Sequence, residues 1–185
     1  PVEEDLYVLF RLNAELSVRS ISSAIYQPNL TSYNELRKRQ IKKAKNQGYD
    51  TVKKELFSGV WEILKENLNI KHHTYPVHSL QEIEYLKSKF PDNIHLFCVE
   101  KESHILAGCV VFETDCVAHI QYISSNEEGK KNGALDLLFD YLIKEEFCHK
   151  KYFDFGIYTE NNGRHLNEGL ISQKEGFGAR GIVYD

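Results

Sequence analysis

A histidine and two tyrosines in strand-like segments of this sequence are of types that can move protons. His119 is a polar residue in the largely apolar segment 117–124, and Gln121 shares its face. An imidazole there can act as a general base or a substrate contact, or it can be a hydrogen-bonded structural group. Tyr122, on the other face of that segment, and Tyr158 could donate a proton, or could be amphipathic core residues.

A carboxylate in the middle of a second segment is the next candidate. Asp154 lies within 152–158, where an unpaired charge would be energetically costly. Glu160 follows in the loop after this segment, which is a common place for site residues. The candidate partners of Asp154, in a functional site or in a buried ion pair, are Arg164, His165 and Lys174.

A glycine-bearing connection between a strand and a long amphipathic helix could bind an anion. It contains residues 129–134, GKKNGA, at the start of the helical pattern of 133–147. Backbone N–H groups at the start of a helix lack partners, and the helix dipole favours negative charge there. The sequence therefore predicts an oxyanion or phosphate site, and the alternative is a connector that binds nothing.

Composition narrows the class of protein. The chain has 185 residues, 42% of them hydrophobic and 27% charged, which is typical of a globular protein. It contains no apolar run long enough to span a bilayer and no basic lead of a signal peptide, and its net charge of −4 gives no overall attraction to nucleic acid. Four scattered cysteines without CxxC spacing, and no motif of metal ligands, predict a cytoplasmic protein with reduced thiols and no metal site. The start at Pro1 and the absence of methionine predict a C-terminal fragment of a longer protein.

Hydrophobic periodicity predicts the elements that position these residues. Strands are expected within 6–26 and at 94–100, 105–114, 117–124, 152–158 and 178–184. Helices are expected at 33–46, 51–69, 79–90, 133–147 and 164–175, and Ser79 with Glu82 forms a capping box. Two antiparallel hairpins followed by a helical crossover predict an α+β fold. Its sheet is expected to be mixed and mostly antiparallel, with helices on both faces.

These segments together resemble the GNAT acyltransferase superfamily, and within it the FemAB-like, peptidoglycan-bridge branch. The segments that carry the resemblance are HIQYISSNEEG leading into GALDLLFDYLI, then FDFG, then LNEGLISQKEGFG. The resemblance covers residues 79–185 well and 1–70 loosely. It implies a GNAT-like acyltransferase domain at 79–185, preceded by a helical segment at 33–78. Residues 1–32 would be strands that remain from a preceding half-domain.

The resemblance also implies roles for particular residues. The GNAT pyrophosphate loop, Q/R-x-x-G-x-G/A, falls on Gly129, Lys130, Lys131, Asn132, Gly133 and Ala134. Ala134 matches the last position, whereas Gly129 and Asn132 depart from the pattern, which leaves both acyl-CoA and another phosphate-bearing donor open. Lys174, within QKEGFG, matches the Fem-type lysine that would contact the donor or stabilise the oxyanion. A lysine in a last helical turn can also serve only the helix dipole.

The residues and the resemblance together predict an N-acyltransferase. It would move an acyl group from acetyl-CoA or another acyl-CoA to a small-molecule or peptide amine by direct attack. The expected donor site is 129–134, and the expected catalytic residues are His119, Tyr122, Asp154, Glu160 and Lys174. One alternative is Fem-type transfer from aminoacyl-tRNA to a peptidoglycan precursor, and the other is a GNAT-like module that binds without catalysis. Under each of them the basic helix at 33–46 could contact phosphates, or could be a solvated face.

Overall fold

The computed structural model describes residues 3–184, apart from the side chains of residues 71 and 72. The predicted segments 1–32 and 79–185 include residues 1, 2 and 185, which lie outside the described residues. The helices are α1 (Glu4–Arg11), α2 (Glu35–Asn46), α3 (Ser58–His72), α4 (Leu80–Lys89), α5 (Glu127–Asn132), α6 (Ala134–Tyr141) and α7 (Glu168–Glu175). The strands are β1 (Ser20–Tyr26), β2 (Asp50–Lys54), β3 (Ile94–Lys101), β4 (His104–Glu113), β5 (Val117–Ser125), β6 (Tyr152–Ile157), β7 (Thr159–Glu160), β8 (His165–Leu166) and β9 (Arg180–Tyr184). A 3-10 turn, Gln27–Asn29, follows β1, and a π-helical turn, Leu142–Glu146, extends α6.

One seven-stranded sheet organises these elements, with the strand order β2-β3-β4-β5-β6-β1-β9. Neighbouring strands in it are antiparallel except β5 and β6, which run parallel. β7 and β8 form a separate two-stranded hairpin. The predicted α+β fold with a mixed, mostly antiparallel sheet is therefore confirmed.

Alternating side chains along the strands build two separate hydrophobic cores, one on each face of the sheet. On one face, α2 and α6 pack over a core that includes Phe97 and Phe153. On the other face, Trp61 of α3 and Ile83 of α4 pack with Leu96 of β3. The helices on both faces agree with the prediction, and the capping box at Ser79 that begins α4 is present.

Ion pairs fasten α2 to α6. Arg37 Nη1 lies 2.6 Å from Asp136 Oδ1, and Lys45 Nζ lies 3.3 Å from Asp140 Oδ2. Burial raises the pKa of the Asp136 carboxyl, and the guanidinium of Arg37 opposes that rise. Arg37 and Lys45 of the predicted basic helix thus form ion pairs within the protein.

The sheet draws on all three predicted segments of the chain. β1, from segment 1–32, is inserted between β6 and β9. β2, from segment 33–78, pairs with β3 at the other edge, and α2 and α3 of that segment cover the two faces. The boundaries at residues 32 and 78 remain predictions, but the segments that they separate share one sheet and its cores.

Two elements in the first third of the chain differ from the predictions. Residues 4–11, expected within a strand region, form α1, with Glu4 and Asp5 in its first turn and Arg11 in its last, as the helix dipole favours. The expected helix at 51–69 is preceded by a short strand, β2, and begins only at Ser58. β2 is rich in the β-branched and charged residues that suit an exposed edge strand.

The last helix is also shorter than predicted. It was expected over 164–175 but begins at Glu168, because Asn167 caps it there and its Oδ1 accepts a hydrogen bond from the Leu170 amide. The residues before it form β8 instead. Gly176 follows the last residue of the helix, as predicted.

Candidate functional site

A groove of about 670 Å³ opens over β5, β6, β1 and β9. We call it the central groove. His119 and Asp154 lie in its floor and alternate along their strands with the core residues Ala118 and Phe153, so they face away from α2 and α6. Ser22 of β1 lies beside them in the same floor.

The two parallel strands separate at this floor. β5 and β6 pair at three positions, Val117–Tyr152, Ala118–Phe153 and His119–Asp154. Both strands continue further, β5 to Ser125 and β6 to Ile157. His119 and Asp154 are therefore the last pair before the strands diverge, and the central groove extends into the opening between them.

A hydrogen-bonded network joins His119, Asp154 and Ser22. His119 Nδ1 lies 2.7 Å from Asp154 Oδ2, and the hydroxyl of Ser22 donates to Asp154 Oδ1 at 2.5 Å. The amide of Gly156 donates to the same carboxylate at 3.1 Å. Burial alone would raise the pKa of Asp154, but the hydrogen bonds from His119, Ser22 and Gly156 together lower it below its ordinary value. Asp154 is thus an ionised carboxylate that fixes the imidazole ring.

The second ring nitrogen of His119 contacts Gln121. His119 Nε2 lies 3.1 Å from Gln121 Oε1. If Nε2 carries a hydrogen, it donates to Gln121 Oε1, because an amide oxygen only accepts. A neutral ring with its proton on Nδ1 would instead accept from the NH₂ of a turned Gln121 amide. Gln121 can follow either protonation state.

Lys174 reaches the central groove from α7. Its side chain is 5% exposed, and its Nζ donates to the carbonyls of Gly156 at 2.8 Å and of Ile157 at 2.7 Å. Gly156 has φ +75°, a conformation that favours glycine, and a Cβ there would meet only ordinary contacts. Burial lowers the pKa of Lys174 to about 8, against a smaller opposing effect of Asp154. An ammonium has three hydrogens, so two carbonyl bonds leave one for the groove.

Residues 129–134, predicted as a loop before the helix, are mostly helical, so the prediction that they form a loop is wrong. Residues 127–132 form α5, which Asn126 caps by accepting a hydrogen bond from the Gly129 amide at 2.8 Å. Gly133, with φ +76°, ends α5 and begins α6. The cap and the left-handed glycine convert the connection into a helix–helix junction. The side chains of Lys130 and Asn132 bond within the protein, to Asn67 Oδ1 and to Tyr49 Oη.

α2 covers this junction. Lys43 Nζ donates to the carbonyl of Lys131 at 2.7 Å, and a Cβ on Gly133 would come within 2.7 Å of the Gln40 carbonyl oxygen. Asp136 already places a carboxylate in the first turn of α6, where a bound phosphate would be favoured. A cavity of about 280 Å³ remains there, and Asp136 lines it. That residues 129–134, including Ala134, bind the donor remains a prediction, and the crowding by α2 and Asp136 argues against it.

Two of the predicted catalytic residues lie away from the central groove. A register shift in the β4–β5 pairing sets Tyr122 opposite Val110, and its ring packs 5.0 Å from that of Trp61. Its hydroxyl lies 2.5 Å from His78 Nδ1. Glu160 is exposed on β7 and accepts a hydrogen bond from Asn167 Nδ2 at 2.8 Å. The structure therefore brings together His119, Asp154 and Lys174 from the predicted set.

The partners of Asp154 differ from those predicted. Its side-chain hydrogen-bond partners are His119 and Ser22, and Arg164 and His165 lie outside the central groove lining. Lys174 interacts with Asp154 electrostatically but donates its hydrogen bonds to carbonyls. Sequence reasoning missed Ser22 because it lies on a strand 132 residues away along the chain. The shared face of His119 and Gln121 was the available signal for the contact between them.

No activated thiol accompanies these groups in the described chain. Burial raises the pKa of Cys98 to about 12 and that of Cys109 well above its ordinary value. Cys116 and Cys148 are exposed and lie outside the central groove lining. Within residues 3–184 no group of three or more metal-binding side chains comes together, and no helix has the length and apolar character needed to cross a bilayer.

Known proteins resemble this chain in fold and not in sequence. No protein-family model matches the chain, and no curated protein matches its sequence. Among solved structures, FemX matches with a TM-score of 0.73 at 12% identity, over 96% of this chain and 66% of that one. L-PGS from Bacillus licheniformis matches with a TM-score of 0.68 at 15% identity, over 97% of this chain and 63% of that one.

A protein of unknown function from Bacteroides thetaiotaomicron matches with a TM-score of 0.62 at 10% identity, over 98% of this chain and 64% of that one. The chain thus spans less than two thirds of the length of each of these structures. The likeness confirms the predicted FemAB-like, GNAT-related fold, and at such identities it concerns the fold alone.

Proposed function

We propose that this protein is an acyltransferase that moves an acyl group to a primary amine by direct attack, without a covalent enzyme intermediate. The observation that carries the proposal is the His119–Asp154 pair, fixed at the last paired position of β5 and β6 and open to the central groove. An amine that attacks a carbonyl must release a proton, and an imidazole oriented by a carboxylate is suited to accept it. Among the described residues, no activated thiol lies near the pair, which agrees with direct attack.

In the proposed reaction, the neutral amine nitrogen attacks the carbonyl carbon of the donor, and the carbonyl electron pair moves onto its oxygen. His119 Nε2 accepts the proton that the nitrogen releases, once Gln121 has moved aside. The remaining hydrogen of Lys174 is donated to the oxyanion. When the intermediate collapses, the bond to the leaving oxygen or sulfur breaks, and His119 returns the proton to that atom.

The identity of the donor is the second part of the proposal. A CoA pyrophosphate at residues 129–134 would need the start of α6, which α2 and the Asp136 carboxylate occupy. This crowding favours the second candidate, an aminoacyl ester of tRNA, which the Fem-type resemblance implies together with a peptidoglycan precursor as acceptor. Acyl-CoA remains the competing donor and is tested beside it.

The test measures transfer from each donor separately. The protein is incubated with radiolabelled acetyl-CoA or with radiolabelled aminoacyl-tRNA, and with a panel of primary amines. Loss of a general base costs about 100-fold or more, so His119→Ala should lower the transfer rate by at least that factor. His104→Ala is the matched control, because His104 is exposed at the start of β4, outside the groove lining.

Two results would overturn the proposal. One is no transfer from either donor to any amine, which would leave a binding module without catalysis. The other is an unchanged rate in His119→Ala, which would remove the base from the reaction. Transfer from acetyl-CoA alone would instead restore the first donor candidate.

A further inference from the structure

The walls of the central groove are apolar on both sides of the His119–Asp154 pair. Where β5 and β6 are paired, the walls are Val117 and Tyr152. Where the strands diverge, they are Leu170, Ile182 and Tyr184. A strand rises about 3.3 Å per residue, so the groove follows roughly 17 Å of β6 from Tyr152 to Ile157. This length and the volume of about 670 Å³ suit a whole small molecule, far larger than an acetyl group.

The charged groups of the groove already have protein partners. Asp154 accepts hydrogen bonds from His119, Ser22 and the Gly156 amide, and Lys174 donates to two carbonyls. Asp154 is the one carboxylate among the described residues that line the groove. A ligand with a second ammonium would lose its hydration along these walls without meeting a second carboxylate.

We propose that the acceptor is a primary amine carried on an uncharged apolar chain, aliphatic or aromatic. This inference rests on the proposed function, since it describes the amine that His119 would deprotonate. The amine arrives as an ammonium, which the Asp154 carboxylate attracts, and it releases one proton to water to give the neutral amine that attacks. Its chain lies against the apolar walls that flank the His119–Asp154 pair. Polyamines are disfavoured, because their second ammonium would meet no second carboxylate along these walls.

Binding without turnover tests the inference directly. The ¹⁵N-labelled protein is titrated with butylamine, hexylamine and octylamine at pH 7, and amide shifts are followed by NMR. Burial of a methylene contributes about 0.8 kcal/mol, so the affinity should rise by up to about fourfold per methylene. Spermidine should bind at least tenfold more weakly than octylamine. An affinity independent of chain length, or a preference for spermidine, would overturn the inference.

A pair of neighbouring substitutions on β9 locates the binding. Ile182 lines the groove and is 48% exposed, whereas Val183 is 54% exposed and lies outside the lining. Ile182→Trp should weaken octylamine binding by tenfold or more by filling the groove, and Val183→Trp should leave it unchanged. Equal effects of the two substitutions, or no effect of either, would place the amine elsewhere.

Binding and transfer fail in distinguishable ways. If octylamine binds as expected but neither donor supports transfer, the proposed function is wrong and the groove is an amine-binding site. If transfer depends on His119 but prefers spermidine or a peptide amine, this inference is wrong and the proposed function stands.

Discussion

The depressed pKa of Lys174 makes a measurable contribution to the pH dependence of stability. Its ordinary pKa is 10.5, and burial lowers it to about 8 in the folded protein. Below pH 8 both the folded and the unfolded chain hold the proton, whereas between pH 8 and 10.5 only the unfolded chain does. Because the unfolded state then binds more protons, the free energy of unfolding rises with pH across this window. The difference between the two pKa values corresponds to about 3 kcal/mol, most of which is realised between pH 7 and 10.

The assay is urea unfolding of the wild-type protein and of Lys174→Met at intervals from pH 7 to 10. The substitution leaves two carbonyls without a donor, which lowers stability by an amount that does not depend on pH. Other titrating groups act alike in both proteins and cancel in the difference. The difference in unfolding free energy, wild type minus variant, should therefore increase by about 2 to 3 kcal/mol over this range.

Two companion variants sharpen the result. Leu170→Met, on the same helix, exchanges one uncharged side chain for another, so its difference from wild type should stay flat with pH. Lys174→Gln retains a donor and serves if the methionine variant does not fold. Parallel curves for wild type and both Lys174 variants, within about 1 kcal/mol, would refute the reasoning that burial depresses this pKa.

Three further substitutions test the site. Asp154→Asn should lower amine transfer by about 100-fold, because it removes the carboxylate that orients His119, and a rate within threefold of wild type would contradict that role. Gly156→Ala should reduce the free energy of unfolding by about 1–2 kcal/mol in urea, since a Cβ fits but the left-handed φ is strained, and unchanged stability would show that the backbone adapts. Tyr122→Phe should lower the free energy of unfolding by about 1 kcal/mol through loss of the contact with His78, with the transfer rate unchanged. A loss of transfer in that variant would return Tyr122 to the catalytic set.

Local patterns in the sequence were sufficient for part of the site. Alternation along 117–124 placed His119 and Gln121 on one face, and both line the central groove. The cost of a buried charge singled out Asp154, which lies in the same floor. Apart from α5, the helices and strands from residue 79 to 158 follow the predicted order, because their apolar periods are long and regular.

The features that sequence reasoning missed depend on contacts between distant segments. The insertion of β1 beside β6, which brings Ser22 to Asp154, leaves no local pattern in either strand. The helical character of 127–132 was hidden because Gly129 and Gly133 favour a loop in isolation, and the Asn126 cap and the packing of α2 override that preference. The same packing weakens the expected phosphate site.

The position of β1 in the sheet also sets the order in which the molecule can assemble. Strands β3, β4 and β5 are joined by short turns and can pair as soon as they have been synthesised. β1 has to wait, although it precedes them in the chain, because both of its neighbours, β6 and β9, come more than 120 residues later. Ser22 therefore meets Asp154 only when the non-local pairing of β1 with β6 closes. A folding intermediate that contains only the β3–β5 meander would have no groove floor. Ligand binding in the central groove therefore requires the complete sheet and not the meander alone.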